Sequence, residues 1–200
     1  MTILSNRKQG PSTRRIDVSD GSFFLLPHDA AILDGLHAHA PLSADLVSRL
    51  REESRRHTRT LVQGKLLELQ AAREHSRREL SLKLARRGFD QDMVDTVIAE
   101  SVEAGYVSDD RFARAFVESR LRRQPEGRAA LSARLAARGV ARDVSDRVIG
   151  ELVDLETETE ALERALEKVQ RRTTDPQKQI AGLVRKGFPY SLVKAYVHGN

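Results

Sequence analysis

The sequence predicts an all-α protein of three tandem three-helix repeats in an elongated, curved array, preceded by a small β-hairpin and a helix. The main observation is a helix–loop–helix phrase that occurs three times. Its glycines, Gly88, Gly139 and Gly187, lie about 50 residues apart, and similar apolar residues surround each of them. Repeats of this length are stacked units, because a single unit cannot bury its apolar face alone.

The composition favours helices and excludes several classes of protein. Of the 200 residues 40% are hydrophobic and only 4% aromatic, with no tryptophan, which suits helix-on-helix packing better than sheets. The chain has no cysteine, which excludes disulfides and thiolate metal sites and is typical of a cytoplasmic protein. No apolar run is long enough for a signal peptide or a membrane span, so contact with a membrane is not expected.

The N-terminal part of the chain is predicted to contain a disordered tail and a small folded extension. Residues 1–13 lack a periodic pattern and are assigned to the tail, and the extension covers residues 14–60. Within it, Asp20-Gly21 separates two short apolar runs, a combination typical of a β-hairpin. Because an isolated hairpin is marginally stable in water, it is expected to pack on a helix.

Two helices are predicted in or beside this extension. Residues 29–37 follow Pro27 and are expected to form a short helix. Ser43 is expected to cap a long helix that continues to about Glu68. The three repeats are assigned to residues 61–110, 111–157 and 158–200.

Start and stop signals divide the repeats into helices. Ser76, with Glu79 three residues later, has the pattern of a capping box. Gly88 is expected to end that helix in the left-handed conformation, and Gly105 ends the next one. Ser108 opens the helix that follows. The apolar residues between these signals recur with the helical period and are expected to form the core.

The net charge of +5 is distributed unevenly. Residues 119–142 contain seven arginines and one acid, Glu126, whereas residues 143–167 contain nine acids. Cations at equivalent places on stacked repeats can follow a phosphate backbone or an acidic protein groove. The alternative for any single one is an ordinary solvated side chain. The predicted contact residues are basic residues of repeat-equivalent or adjacent helices: Lys83, Arg86, Arg87, Arg120, Arg122, Arg123, Arg134, Arg138, Arg185 and Lys186.

The sequence predicts neither catalysis nor a bound metal or cofactor. It contains no Ser-His-Asp order, no glycine-rich phosphate loop and no H-E-x-x-H signature. Asp109 and Asp110 stand at a predicted helix start, where acids complement the helix dipole; pairing with arginines of a neighbouring repeat is a further role open to them. His37 and His39 lie near a predicted helix end without further ligands.

Six aromatic residues recur at corresponding positions between helices. Exposed aromatic rings could stack on the bases of a single strand, but the apolar residues around them favour a place in the core. They are Phe89, Tyr106, Phe112, Phe116, Phe188 and Tyr190.

Several phrases occur in an order and spacing that resemble the RecX family. The most characteristic runs from Glu103 to Ala113, in which Val107 stands where the family has leucine and Ser108 where it has aspartate. The resemblance covers residues 66–197. Its motif residues are Gly88, Phe89, Gly105, Tyr106, Asp109, Asp110, Phe112, Ala113, Gly139, Gly187 and Phe188.

The resemblance implies a non-catalytic regulator of the RecA recombinase. Family members bind the RecA filament on single-stranded DNA, and the expected effect is inhibition of its ATPase, strand exchange and growth in recombination, DNA repair and the SOS response. The expected partners are RecA and single-stranded DNA, with duplex DNA as a further ligand, and the chain is expected to be a monomer. Two alternatives stay open: a stand-alone nucleic-acid-binding protein and a helical-repeat adaptor for another protein.

Overall fold

The computed structural model describes residues 1–198, which form a three-stranded antiparallel sheet followed by nine α-helices. Gly199 and Asn200, the end of the predicted third repeat, lie outside the described residues. The fold class predicted from the sequence is confirmed. The elements are β1 (Ile3–Lys8), β2 (Thr13–Val18), β3 (Phe23–Pro27), α1 (Ala44–Ala72), α2 (Arg77–Ala85), α3 (Gln91–Glu103), α4 (Asp109–Arg123), α5 (Arg128–Ala137), α6 (Arg142–Leu152), α7 (Leu155–Gln170), α8 (Pro176–Arg185) and α9 (Tyr190–His198).

The predicted disordered tail is wrong, because residues 3–8 form an ordered edge strand. β1 pairs with β2, so the predicted hairpin is the β2–β3 half of a three-stranded sheet. Ile3 is completely buried, and its backbone N–H donates to the carbonyl of Ala40 at 3.1 Å. Ser5 Oγ donates to the Asp17 carboxylate at 2.6 Å. These long-range partners order a segment whose own sequence has little periodicity.

The short helix predicted for residues 29–37 is also wrong. Within it the structure has only one turn of 3-10 helix, Ala31–Leu33. Gly35 follows with a φ of +91°, a left-handed conformation that ends any helical continuation. Leu36 beyond it is buried against the sheet.

Helix α1 connects the sheet to the helical array. Ser43 caps it as predicted, accepting a hydrogen bond from Leu46 N at 3.2 Å, and its 29 residues extend about 44 Å. Val47 and Leu50 in its first half are buried in the core beneath the sheet. Leu66 in its second half belongs to the core of the first three-helix unit.

The helices form three units of three. Unit 1 contains the second half of α1 with α2 and α3, unit 2 contains α4–α6, and unit 3 contains α7–α9. Unit 1 has its own apolar core, whereas units 2 and 3 share one. We propose that the units divide near residues 110 and 157, close to the starts of α4 at Asp109 and of α7 at Leu155.

Adjacent units are joined where the second helix of one unit begins. Ser76, the N-cap of α2, donates through Oγ to the Arg138 carbonyl of unit 2 at 2.7 Å. Gly127, the N-cap of α5, donates through its backbone N–H to the Lys186 carbonyl of unit 3 at 2.9 Å. Both carbonyls belong to the residue before a repeat glycine, so equivalent contacts occur at the two junctions.

A second contact strengthens each junction. The backbone N–H of Arg77 donates to Asp109 of unit 2 at 2.9 Å, and its guanidinium lies 3.4 Å from the same carboxylate. Arg128 meets Glu158 of unit 3 in the same way, at 3.3 and 3.4 Å. Each carboxylate therefore satisfies a helix N-terminus and neutralises a cation. We call the carbonyl and carboxylate contacts together the inter-unit clamp.

The repeat glycines let the clamp close. A Cβ on Gly187 would lie 2.6 Å from Ala130 Cβ, and one on Gly139 would lie 2.7 Å from Arg78 Cβ. Gly88, the equivalent glycine of unit 1, has the same left-handed backbone with a φ of +84°, but nothing lies within 4 Å of its Cβ position.

This difference provides a matched pair of substitutions. Gly88→Ala should lower the free energy of unfolding by about 1 kcal/mol, the cost of the left-handed backbone. Gly187→Ala should lower it by about 3 kcal/mol, because overpacking against Ala130 adds to the same backbone cost. Urea unfolding followed by circular dichroism measures both; equal losses would show that close packing of Gly187 does not hold units 2 and 3 together.

Candidate functional site

Two of the ten predicted contact residues share one buried carboxylate within the chain. Glu126 lies in the loop between α4 and α5 and is only 6% exposed. Arg120 donates to it at 2.6 Å, and Arg134 donates at 2.7 and 2.8 Å. Burial alone would raise the pKa of Glu126, but the two guanidinium groups lower it below its ordinary value. Arg120 and Arg134 therefore hold this loop.

Arg138 also acts inside the molecule. Its guanidinium lies 3.6 Å from Glu79 of unit 1 and 4.6 Å from the centre of the Phe116 ring. Its carbonyl accepts the hydrogen bond from Ser76. The capping box predicted at Ser76 is half formed: Ser76 accepts from Glu79 N at 3.1 Å, and the Glu79 carboxylate pairs with Arg73 and Arg138.

The arginine-rich block of residues 119–142 is therefore less basic in the fold than in the sequence. Five of its seven arginines have carboxylate partners, which come from four parts of the chain. The pairs are Arg120 and Arg134 with Glu126, Arg128 with Glu158, Arg138 with Glu79, and Arg142 with Asp146.

Seven predicted contact residues have no carboxylate partner anywhere in residues 1–198. Three lie at the end of α2 in unit 1, and four lie at the ends of α4 and α8 in units 2 and 3. All but Lys83 and Lys186 are exposed. They are Lys83, Arg86, Arg87, Arg122, Arg123, Arg185 and Lys186.

The ends of α4, α7 and α8 meet at one side of units 2 and 3. Lys168 Nζ, in the last turn of α7, donates to the Arg123 carbonyl at 3.4 Å. The loop after α4 reaches the Lys186 carbonyl through Gly127 N. The unpaired cations of α4 and α8 are thus carried by connected elements.

A basic groove of about 670 Å³ lies between α7 and α8 in unit 3. Arg172, Lys178, Arg185 and Lys186 line it, and its apolar floor includes Val169. None of the lining residues is an acid, although Asp175 at the edge lies 3.7 Å from Lys178. Concentrated positive charge over an apolar floor suits a phosphate backbone or another flexible polyanion.

Sequence reasoning missed Lys168, Arg172 and Lys178 as members of this surface. The adjacent pair Arg171-Arg172 is the only signal the sequence offers for them, and it stands outside the seven-arginine block. Their proximity to Arg185 results from the packing of α7 against α8.

The acids singled out in the sequence are structural. Ser108 is the N-cap of α4, Asp109 belongs to the inter-unit clamp, and Asp110 pairs with Arg114 and Arg147. The hydrogen bond from Arg114, followed by that from Arg147, holds the pKa of Asp110 below its ordinary value despite partial burial. Asp109 therefore both stands at the start of α4, where it complements the helix dipole, and pairs with Arg77 of the neighbouring unit. Within residues 1–198 no group of three His, Cys, Asp or Glu is placed to hold a metal.

The core role predicted for the aromatic residues holds for four of the six. Phe112 and Phe188 are buried, and Phe89 and Phe116 are half-buried beside apolar neighbours. Tyr106 and Tyr190 are 56% and 59% exposed, so the core prediction is wrong for them. Tyr106 lies in the bend after α3 and Tyr190 is the first residue of α9, so neither lies within a helix where the apolar pattern determines which way a ring points.

None of the helices in residues 1–198 is sufficiently long and apolar to cross a membrane.

The lowered pKa of Glu126 gives stability a defined pH dependence. The pKa is lower in the folded chain than its ordinary value of 4.5 in the unfolded chain. The ionised carboxylate therefore stabilises the fold fully above pH 4.5, and this stabilisation is lost as the pH falls through the folded-state pKa. Glu126→Gln should lower the free energy of unfolding by about 2 kcal/mol at pH 7 and by progressively less below pH 4.5.

Denaturant unfolding at several pH values between 7 and 3 measures this difference. Glu118→Gln is the matched control, because Glu118 is exposed on α4 and has no ion pair within the described residues. A deficit in Glu126→Gln that stays constant down to pH 3 would contradict the assigned role of the carboxylate.

Comparison with known proteins identifies the family. Models of the first and second three-helix domains of RecX match residues 67–100 and 108–149. The Regulatory protein RecX of Halorhodospira halophila is 38% identical over 141 residues, covering 67% of this chain and 84% of that protein. Its counterpart in Treponema pallidum is 33% identical over 126 residues, covering 63% and 77%.

Solved structures agree on the fold. A crystal structure of regulatory protein RecX superposes over all of this chain and 99% of that one, with a TM-score of 0.69 at 16% identity. RecX from Lactobacillus salivarius covers 72% of this chain and 96% of its own, with a TM-score of 0.62 at 17% identity. The two matched three-helix domains and the relative matched over most of its length lead to one conclusion: this chain belongs to the RecX family of regulatory proteins.

Proposed function

We propose that this chain is a non-catalytic regulator of the RecA recombinase. It binds the RecA filament on single-stranded DNA and inhibits ATP hydrolysis, strand exchange and filament growth in cytoplasmic recombination, DNA repair and the SOS response. Membership of the RecX family is the observation that carries this proposal, because the matched relatives are named as regulatory proteins. The chain acts as a monomer without a cofactor.

The surface for this interaction comprises the seven unpaired cations at the ends of α2, α4 and α8 together with the basic groove. Arg122 and Arg123 are exposed, and Arg185 and Lys186 line the groove. Unpaired cations are available to external phosphates or carboxylates, whereas Arg120, Arg134 and Arg138 are already neutralised inside the chain. We therefore withdraw these three from the proposed contact surface and retain the other seven.

The same surface supports a second candidate, a protein that binds single-stranded or duplex DNA without RecA. Such binding would depend on neutralised phosphates, and the affinity would fall steeply with salt. An effect on RecA that persists at salt concentrations where the chain no longer binds free DNA favours the filament regulator.

The first test is the ATPase of RecA on single-stranded DNA, titrated with this chain below the RecA concentration. Inhibition at substoichiometric ratios is expected, because a protein lodged in a filament affects many protomers. An unchanged ATPase together with salt-sensitive DNA binding would replace this proposal by stand-alone nucleic-acid binding.

The double charge reversal Arg122→Glu with Arg123→Glu tests the surface. It should raise the concentration needed for half-maximal inhibition roughly tenfold, because a repulsive patch replaces an attractive one. The matched control is Arg49→Glu with Arg55→Glu, which makes the same charge change at exposed arginines of α1 that have no ion pair among residues 1–198. Equal loss in both variants would assign the effect to net charge alone.

A further inference from the structure

One of the three repeat loops lacks the partner that the other two have. In units 2 and 3, the carbonyl before the repeat glycine accepts a hydrogen bond from the N-cap of a helix in the preceding unit. In unit 1, the equivalent carbonyl of Arg87 accepts no hydrogen bond from residues 1–198. Gly88 has the same backbone conformation as the other two glycines, with open space where they meet a helix.

This loop forms one wall of a groove of about 660 Å³. The second wall is the N-terminal sheet, with Phe23 and Leu25, and the floor is helix α1. Phe23 is 46% exposed, and the Arg15 guanidinium lies 3.8 Å from the centre of its ring. The groove therefore occupies the place, beside the Gly88 loop, where a preceding unit would stand.

A glycine in the floor leaves the backbone of α1 open to close approach by another molecule. Gly64 lies in the middle of α1 and lines the groove. A glycine in a helix interior costs about 1 kcal/mol relative to alanine. Nothing in residues 1–198 lies within 4 Å of its Cβ position, so no internal packing requires it. Close approach of another molecule is a physical reason for a bare backbone here.

The contact between Gly139 and α2 defines what would fit. There, Ser76 at the N-cap meets the carbonyl before the glycine, and Glu79, at the third helical position, pairs with the Arg138 guanidinium. Arg87 holds the position of Arg138 in unit 1 and has no carboxylate partner in the described residues. Its guanidinium donates to the Lys83 carbonyl at 3.0 Å. A helix beginning with the pattern Ser-x-x-Glu would supply a donor for the Arg87 carbonyl and a carboxylate for the Arg87 guanidinium.

A second copy of this chain does not supply such a helix by continuing the array. The helix that would dock is α8, and Asp175 at its N-cap accepts from Gln177 N at 2.9 Å. The Asp175 carboxylate cannot donate to the Arg87 carbonyl, and its backbone N–H already donates to Thr173 Oγ1 at 3.2 Å. Pro176 behind it has no backbone N–H. The α8 helix of a second copy is therefore not the occupant.

We propose that the groove between Gly64 and Gly88 binds the first turn of an α-helix of the RecA protomer, with a hydroxyl-bearing N-cap and an acid at the third helical position. This rests on the proposed function, which supplies the partner. The Arg87 carbonyl accepts from the N-cap, the Arg87 guanidinium pairs with the acid, and the bare backbone of Gly64 lets the helix approach α1.

Gly64→Gln tests the groove by filling its floor. Glutamine is a better helix former than glycine, so the variant should unfold at no lower denaturant concentration than the parent. It should raise the concentration for half-maximal inhibition of RecA ATPase at least tenfold, with binding to free single-stranded DNA unchanged. Gly150→Gln is the matched control, because Gly150 is also a helical glycine with open space around it, far along the chain in α6.

The absence of cysteine from the chain allows a second, independent readout. Gly64→Cys carrying a short photo-crosslinker should label RecA in the filament, and the labelled RecA residue should lie in the first turn of a helix. Gly150→Cys should not label it. Crosslinking to a second copy of this chain, or to a RecA strand, would overturn the proposal.

The two proposals fail in different ways. If the parent chain inhibits RecA and Gly64→Gln inhibits equally, without crosslinking from position 64, the groove is not the docking site and the proposed function stands. If the parent chain does not inhibit RecA and Gly64→Cys does not crosslink to it, both proposals fail.

Discussion

The structure depends on how the helices α2 and α5 begin. A helix N-terminus leaves backbone N–H groups without partners, and these must be satisfied wherever water is excluded. Here the next unit supplies acceptors: a loop carbonyl for the N-cap residue and a carboxylate, Asp109 or Glu158, for the residue after it. Each unit therefore completes the one before it, so the array is held by directional hydrogen bonds as well as by apolar packing.

The same arrangement determines where charge remains available. Acids at helix starts and in the junctions form ion pairs with Arg77, Arg128 and Arg138. The seven unpaired contact residues lie at helix C-termini, where they complement the negative end of the dipole. The four at the ends of α4 and α8 are near one another, because the C-termini of α4, α7 and α8 meet at one side of units 2 and 3. The basic groove results from the packing of α7 against α8 within unit 3.

The sequence predicts what is encoded locally. The repeat glycines, the N-cap serines Ser43 and Ser76 and the apolar stripes each act within a few residues, and the structure confirms them. It could not show that β1 is ordered or which arginines are neutralised, because those outcomes depend on partners far along the chain. Arg138, for example, pairs with Glu79 through a junction that no local pattern describes. The predicted contact surface therefore includes three arginines that are neutralised within the chain, Arg120, Arg134 and Arg138. It lacks the cations on and beside α7.

The two ends of the array differ in the groups that a neighbouring unit would contact. At the start of α8, the Asp175 carboxylate caps its own helix, the Asp175 N–H donates to Thr173 Oγ1, and Pro176 has no backbone N–H, so this helix start offers no donor like those of α2 and α5. At the N-terminal end, the Gly88 loop keeps a free carbonyl and an open left-handed glycine, and the sheet stands beside it without filling the space. The two ends of the array therefore differ in the hydrogen-bonding groups that they leave available to a neighbouring molecule.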